Sequence, residues 1–124
     1  MAENKEYAVQ QEEFGTVNIS EEVVATIAST AAKDVDGVSD LSGNIGDDIA
    51  GILGRKNANK GVRIEMQDDG VKIECNVVAK YGCSVVEMAK NVQSAVASAV
   101  ESMTGLKVKD VAVTISSVAM NAQK

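Results

Sequence analysis

VRIEMQDDGVKIECNVVAK, residues 62–80, decides the fold. Two runs with a period of two flank Asp68-Asp69-Gly70, a strong signal for a tight hairpin turn. Val62, Ile64 and Met66 alternate with Arg63, Glu65 and Gln67, and Val71, Ile73, Cys75 and Val77 alternate with Lys72, Glu74 and Asn76. One face of the hairpin is therefore apolar and the other carries charges of both signs. That pattern describes an antiparallel sheet covered on one side only.

What covers it is written on both sides of the hairpin. Downstream, Ser84 and Glu87 form an S-x-x-E capping box. Behind it Val85, Met88, Ala89, Val92, Val96, Ala99, Val100 and Met103 make one stripe of a helix, which Gly105 stops. Lys107–Val118 then supplies a last strand with Val111, Val113 and Ile115 in phase. Upstream, Phe14–Ser20 reads as a short strand, and Ser20 caps a helix whose first turn holds Glu21 and Glu22. Val23, Val24, Ile27, Ala28 and Ala31 are expected on its buried side, with Thr26, Ser29, Thr30 and Lys33 opposite and Gly37 closing it. Between Ser42 and Gly61 lie five of the ten glycines, and the glycine spacing argues for a loop. The expected architecture is α+β: a two-layer sandwich, with two amphipathic helices packed on one face of a mostly antiparallel sheet. Residues 14–118 form its single domain, 1–13 are expected to be a mobile N-terminal tail, and 119–124 a C-terminal tail.

Composition narrows the function. Apolar residues make up 45% of the 124, with one Phe, no Trp and no Pro, so the core must be built from small side chains at close approach. A net charge of −6 argues against a phosphate-backbone binder, which needs clustered Lys and Arg. No signal-like N-terminus and no apolar run of roughly 18 residues is present, so direct membrane insertion is not expected. Two Cys without a framework spacing fit reduced thiols in a cytoplasmic protein.

Several stretches resemble the alkaline shock protein family: GTVNISEEVVATIASTAAKDVDGV (15–38), KGVRIE (60–65) and YGCSVVEMAKNVQSAVASAVESMTGLKVKDVAVTISSV (81–118). The most specific residues are Tyr81-Gly82, Val92-Gln93 and Met103-Thr104-Gly105-Leu106, followed by the alternating last strand. The family usually has Pro before the glycine that ends the first helix, where this chain has Asp36. The resemblance implies a small cytoplasmic protein of the Gram-positive envelope and general stress response. Some such proteins are held at the membrane by a separate membrane-anchored partner. It implies no catalytic residues, since none are established for the family.

The residues offer few sites for chemistry. Cys83 lies just before a helix N-terminus, where the dipole favours thiolate, and is the candidate redox-sensitive thiol. The chain has no His to act as its base, so a catalytic thiol is not expected, and Cys75 reads as a small core residue. With two Cys and no His, no zinc set exists; Asp68-Asp69-Gly70 and Gly46-Asp47-Asp48 are too short for calcium loops. No metal and no cofactor is expected. Arg55, Lys56, Lys60 and Arg63, next to Gly51-Ile52-Leu53-Gly54, form a basic loop that could contact an anion, RNA or an acidic partner. Helix faces with little charge, and exposed strand edges, point to self-association. The expected function is thus a non-enzymatic stress-response protein that associates with itself and docks onto partners, a membrane-anchored protein among them. The alternative is an RNA- or anion-binding regulator that uses the basic loop.

Overall fold

The computed structural model describes residues 7–42 and 61–120. In chain order the elements are β1 (Tyr7–Glu12), β2 (Gly15–Ser20), α1 (Glu21–Lys33), β3 (Val38–Leu41), β4 (Val62–Gln67), β5 (Gly70–Lys80), α2 (Val85–Thr104) and β6 (Val108–Ala119). The α+β sandwich is as expected, with both helices on the apolar face of one sheet. α1 lies over β3 and β4, α2 lies over β6, and the two helices pack against each other.

β5 is the axis of the sheet. β6 runs parallel to it from Val71↔Val108 to Lys80↔Ala119 and takes one edge along its length. The other edge is shared end to end: β4 pairs antiparallel with the first half of β5 and β3 with the second. Ile73 and Val77 have no exposed surface and Cys75 has 1%, so the period-two reading of residues 62–80 holds residue by residue. The opposite face is chequered with charge: Arg63 opposite Glu74, Glu65 opposite Lys72, and Lys72 opposite Asp110.

Three helix caps follow the sequence, but α1 ends at Lys33 with Asp34, in the right-handed region, as its C-cap, and not at Gly37. Val23 N–H donates to Ser20 Oγ at 3.2 Å, Glu87 N–H to Ser84 Oγ at 3.4 Å, and Gly105 closes α2 at φ 78°. The buried side of α1, however, is rotated from the expected one. Val24, Ala25, Ala28, Ser29 and Ala32 are buried, whereas Val23 is exposed. Small residues win that face because α1 must approach both α2 and the sheet. Ser29 enters it by donating its hydroxyl to Thr26 O at 3.2 Å, which satisfies the one polar group. The stripe on α2 also shortens at both ends, where Val85 and Met103 face solvent.

The N-terminal tail needs a correction. Within 1–13, residues 7–12 form β1, paired antiparallel with β2 from Tyr7↔Ser20 to Glu12↔Gly15; residues 1–6 lie outside the described part. Tertiary contacts hold this second, two-stranded sheet in place. Ala8 and Ile19 pack against the core, and Gln10 Nε2 donates at 2.8 Å to Thr104 O, a carbonyl of the last turn of α2. At the other terminus β6 runs to Ala119, one residue into the expected tail, and residues 121–124 are not described.

Candidate interaction edge

Of the expected site residues, the structure describes Arg63, Cys75 and Cys83. Arg55, Lys56 and Lys60 lie outside the described residues. Arg63 stands on the outer face of β4, where its Nη1 lies 3.8 Å from Glu74 Oε1 and both side chains are largely exposed. Cys83 is half-buried with a free thiol, and its S–H points at Gly37 O at 3.8 Å. Cys75 is buried in the core, where desolvation pushes its thiol up to about 11 and keeps it neutral. Among the described residues no three of His, Cys, Asp and Glu gather as a metal would need. Among them, too, no helix is long and apolar enough to cross a membrane.

Among the described residues, the outer edge of β6 is a long edge that no other strand pairs with. Hydrogen bonds on either side of β5 fix which way each strand turns its backbone. Val71 N–H donates to Lys107 O and Tyr81 N–H to Ala119 O, so the odd-numbered residues of β5 face β6. Ser42 N–H donates to Asn76 O and Lys80 N–H to Gly37 O, so the even-numbered residues face the β3 and β4 side. In a parallel ladder, a residue paired with one that points both groups at it turns its own groups away. Val111, Val113 and Ile115 pair with Ile73, Cys75 and Val77, so their N–H and C=O groups point outward. Gln93 Nε2, reaching down from α2, donates to Val111 O at 2.9 Å, which agrees with this phase. Among the described residues no strand pairs with this edge.

The two ends of β6 are tied differently. At its start Lys109 Nζ bridges both carboxylate oxygens of Asp69, at 2.9 and 3.0 Å, and this bond holds the Asp69 carboxyl below the usual carboxylate range. Glu101 Oε2 accepts from Val108 N–H at 2.9 Å. At its end the Tyr81–Ala119 bond brings Tyr81 beside Val118 and Met120, with Val86 on the first turn of α2. All four are exposed apolar side chains. A separate group of exposed residues sits on the hairpin, where Tyr7 and Val9 face outward and Phe14, at the tip, is 94% exposed. Sequence reasoning found the β6 strand but could not show that one of its edges is open.

A family model for cell envelope-related function matches residues 9–120. YqhY of Bacillus subtilis is 34% identical over 98 residues, covering 79% of this chain and 73% of its own length. YloU of the same organism is 32% identical over 100 residues, covering 79% and 83%. Spy1614 of Streptococcus pyogenes is 31% identical over 94 residues, covering 74% and 78%. Among solved structures, a zinc form of the MamM CTD is 16% identical with a TM-score of 0.49, covering 83% of this chain and 91% of that one. The family match extends the resemblance into β1, and with the relatives it places the molecule: it belongs to the alkaline shock protein (ASP23) family, of cell envelope-related function.

Proposed function

We propose that this chain is a non-enzymatic cytoplasmic protein of the envelope stress response, which works by associating with itself and docking onto protein partners close to the membrane, a membrane-anchored protein among them. The observation that carries this reading is the apolar surface at the end of the β5–β6 ladder: Tyr81, Val118 and Met120 stand exposed there, next to a strand edge that no described strand pairs with. An exposed apolar group of this kind costs solubility unless a protein surface covers it.

The chemistry on hand favours assembly over catalysis. The chain has no His to pair with a thiol, and Cys75 is held neutral in the core.

Sedimentation of the purified full chain from low to high micromolar concentration tests the self-association half; the weight-average mass should rise with concentration. A monomer throughout that range overturns it. For docking, crosslinking in intact stressed cells from a photoreactive group at Tyr81 should give an adduct with a membrane-spanning protein. Adducts with soluble metabolic enzymes alone would overturn the membrane-proximal half.

A further inference from the structure

We infer that the partner for the outer edge of β6 is the β6 of a second copy of this chain, paired antiparallel about a two-fold axis at Val113, so that two sheets become one. The inference rests on the proposal of self-association and gives it a surface and a register.

Four features of the edge carry it. First, β6 is twelve residues long and among the described residues no strand pairs with its outer edge, where side chains take only Val108 N–H and one lone pair of Val111 O, whereas the opposite edge of the sheet is broken between β3 and β4. Proteins that keep an edge free guard it with short strands, bulges, proline or charge in the middle of the strand, and the two bulges of β6, at Lys109 and Ser116, leave the stretch between them unguarded. From Val111 to Ala119, VAVTISSVA, this strand has neither proline nor charge.

Second, the irregularities of the ladder fall at the ends. The register between β5 and β6 shifts at Lys109 and again at Ser116, which leaves Asp110–Ile115 as regular strand, and the five residues Val111–Ile115 within it are centred on Val113. A regular segment with its central N–H and C=O directed outward is what a second strand requires.

Third, the segment is self-complementary. With Val113 opposite its own copy, Val111 meets Ile115, and Ala112 meets Thr114, each pair occurring twice. Val113 and Ile115 are half-buried under the edge of the helical layer, so the copies would complete the burial of β-branched side chains directly across from each other. Lys109 and Asp110 fall opposite Ser117 and Ser116 of the second copy, so no two like charges meet.

Fourth, a two-fold pairing is closed. It uses the one edge twice and ends at a dimer, the commonest symmetry of soluble oligomers. The carbonyl of Val111 has a second lone pair beside the one that Gln93 occupies, so the side-chain bond does not block the ladder.

Charge swapping across the axis tests the register. Ala112 and Thr114 are exposed on the polar face of the sheet, so lysine there leaves the core untouched. Ala112→Lys with Thr114→Lys puts like charges opposite each other at both pairs, and the mass by sedimentation should halve at a concentration where the native chain is dimeric. Ala112→Lys with Thr114→Glu puts opposite charges at the same places and should restore the dimer. Thermal unfolding of both variants, followed by far-ultraviolet circular dichroism, confirms that each folds. If both variants keep the native mass, the chain self-associates through another surface and the β6 pairing is overturned while the functional proposal stands. If the double-lysine variant is monomeric and the lysine–glutamate variant is too, the antiparallel register is overturned. If the native chain is itself monomeric at high micromolar concentration, both proposals fall.

Discussion

β4–β5 and β1–β2 are both antiparallel hairpins closed by two-residue turns, Asp68-Asp69 and Glu13-Phe14, each followed by a glycine, Gly70 or Gly15. They are held by different means. The β4–β5 hairpin buries every second residue from Val62 to Ala79 under two helices, so its own alternation specifies register and orientation. The β1–β2 hairpin has its apolar Tyr7 and Val9 on the solvent side and offers the core only Ala8 and Ile19. Beyond that packing, a side-chain bond from Gln10 to Thr104 ties it to α2 across 94 positions of sequence. One hairpin is a core element and the other is an attachment, and mutations should separate them.

The largest effect belongs to the first. Ile73 is wholly buried at the centre of β5 between Ile64 and Val111. Ile73→Ala removes three carbons from a site with neighbours on every side, and should cost about 2–5 kcal/mol in chemical denaturation. That is a large share of the 5–15 kcal/mol typical of a domain. A loss below about 1 kcal/mol would mean that the hairpin is not the core.

Alkaline pH probes the same hairpin through Cys75, two residues on. Its thiol is raised from 9.0 to about 11 because the folded state keeps the neutral form. The stabilisation from that neutral burial is complete below the unfolded value of 9.0 and is lost as pH rises from there to about 11. Two pKa units correspond to roughly 2–3 kcal/mol. Unfolding free energy should therefore fall between pH 9 and 11 more steeply in the native chain than in Cys75→Ala. Equal slopes would show that Cys75 ionises freely in the folded state.

These two sites also mark how far the sequence reads. The sandwich was legible because residues 62–80 and the α2 stripe repeat with unmistakable periods, and burial follows that repeat at Ile64, Ile73, Met88 and Val92. β1 was not legible, because YAVQQE turns its larger apolar residues outward and its turn lacks the Asn-Gly or Asp-Gly signature. Its anchor, Gln10, is a polar residue whose partner is a backbone carbonyl, and no local pattern announces such a pair. The β6 edge was half legible: alternation shows a strand, but whether a strand has one neighbour or two depends on its position in the sheet. The rotated face of α1 was hidden for a similar reason, since Ser29 becomes a core residue only through its own turn of helix.

The attachment of the second hairpin should yield a smaller cost. Gly105 caps α2 in the left-handed region, and a Cβ there would stand 2.8 Å from Gln10 Nε2. Gly105→Ala should cost about 1–2 kcal/mol from backbone strain, and Gln10→Ala about 1 kcal/mol from the lost bond. Because the new methyl would also displace Gln10, the double variant should cost less than the sum of the two. Additive costs would show that the cap and the hairpin do not act through one bond.

Phe14 should show the smallest effect of all. At the tip of the attached hairpin it is 94% exposed, and no buried contact depends on it. Phe14→Ser should shift unfolding by no more than about 0.5 kcal/mol, in contrast to the few kcal/mol at Ile73. It should also leave the mass of the assembly unchanged, since pairing through β6 does not involve the hairpin tip. A drop in mass on Phe14→Ser would move the self-association surface from the sheet edge to the hairpin. The attachment would then be the working part of the molecule and the sandwich its support.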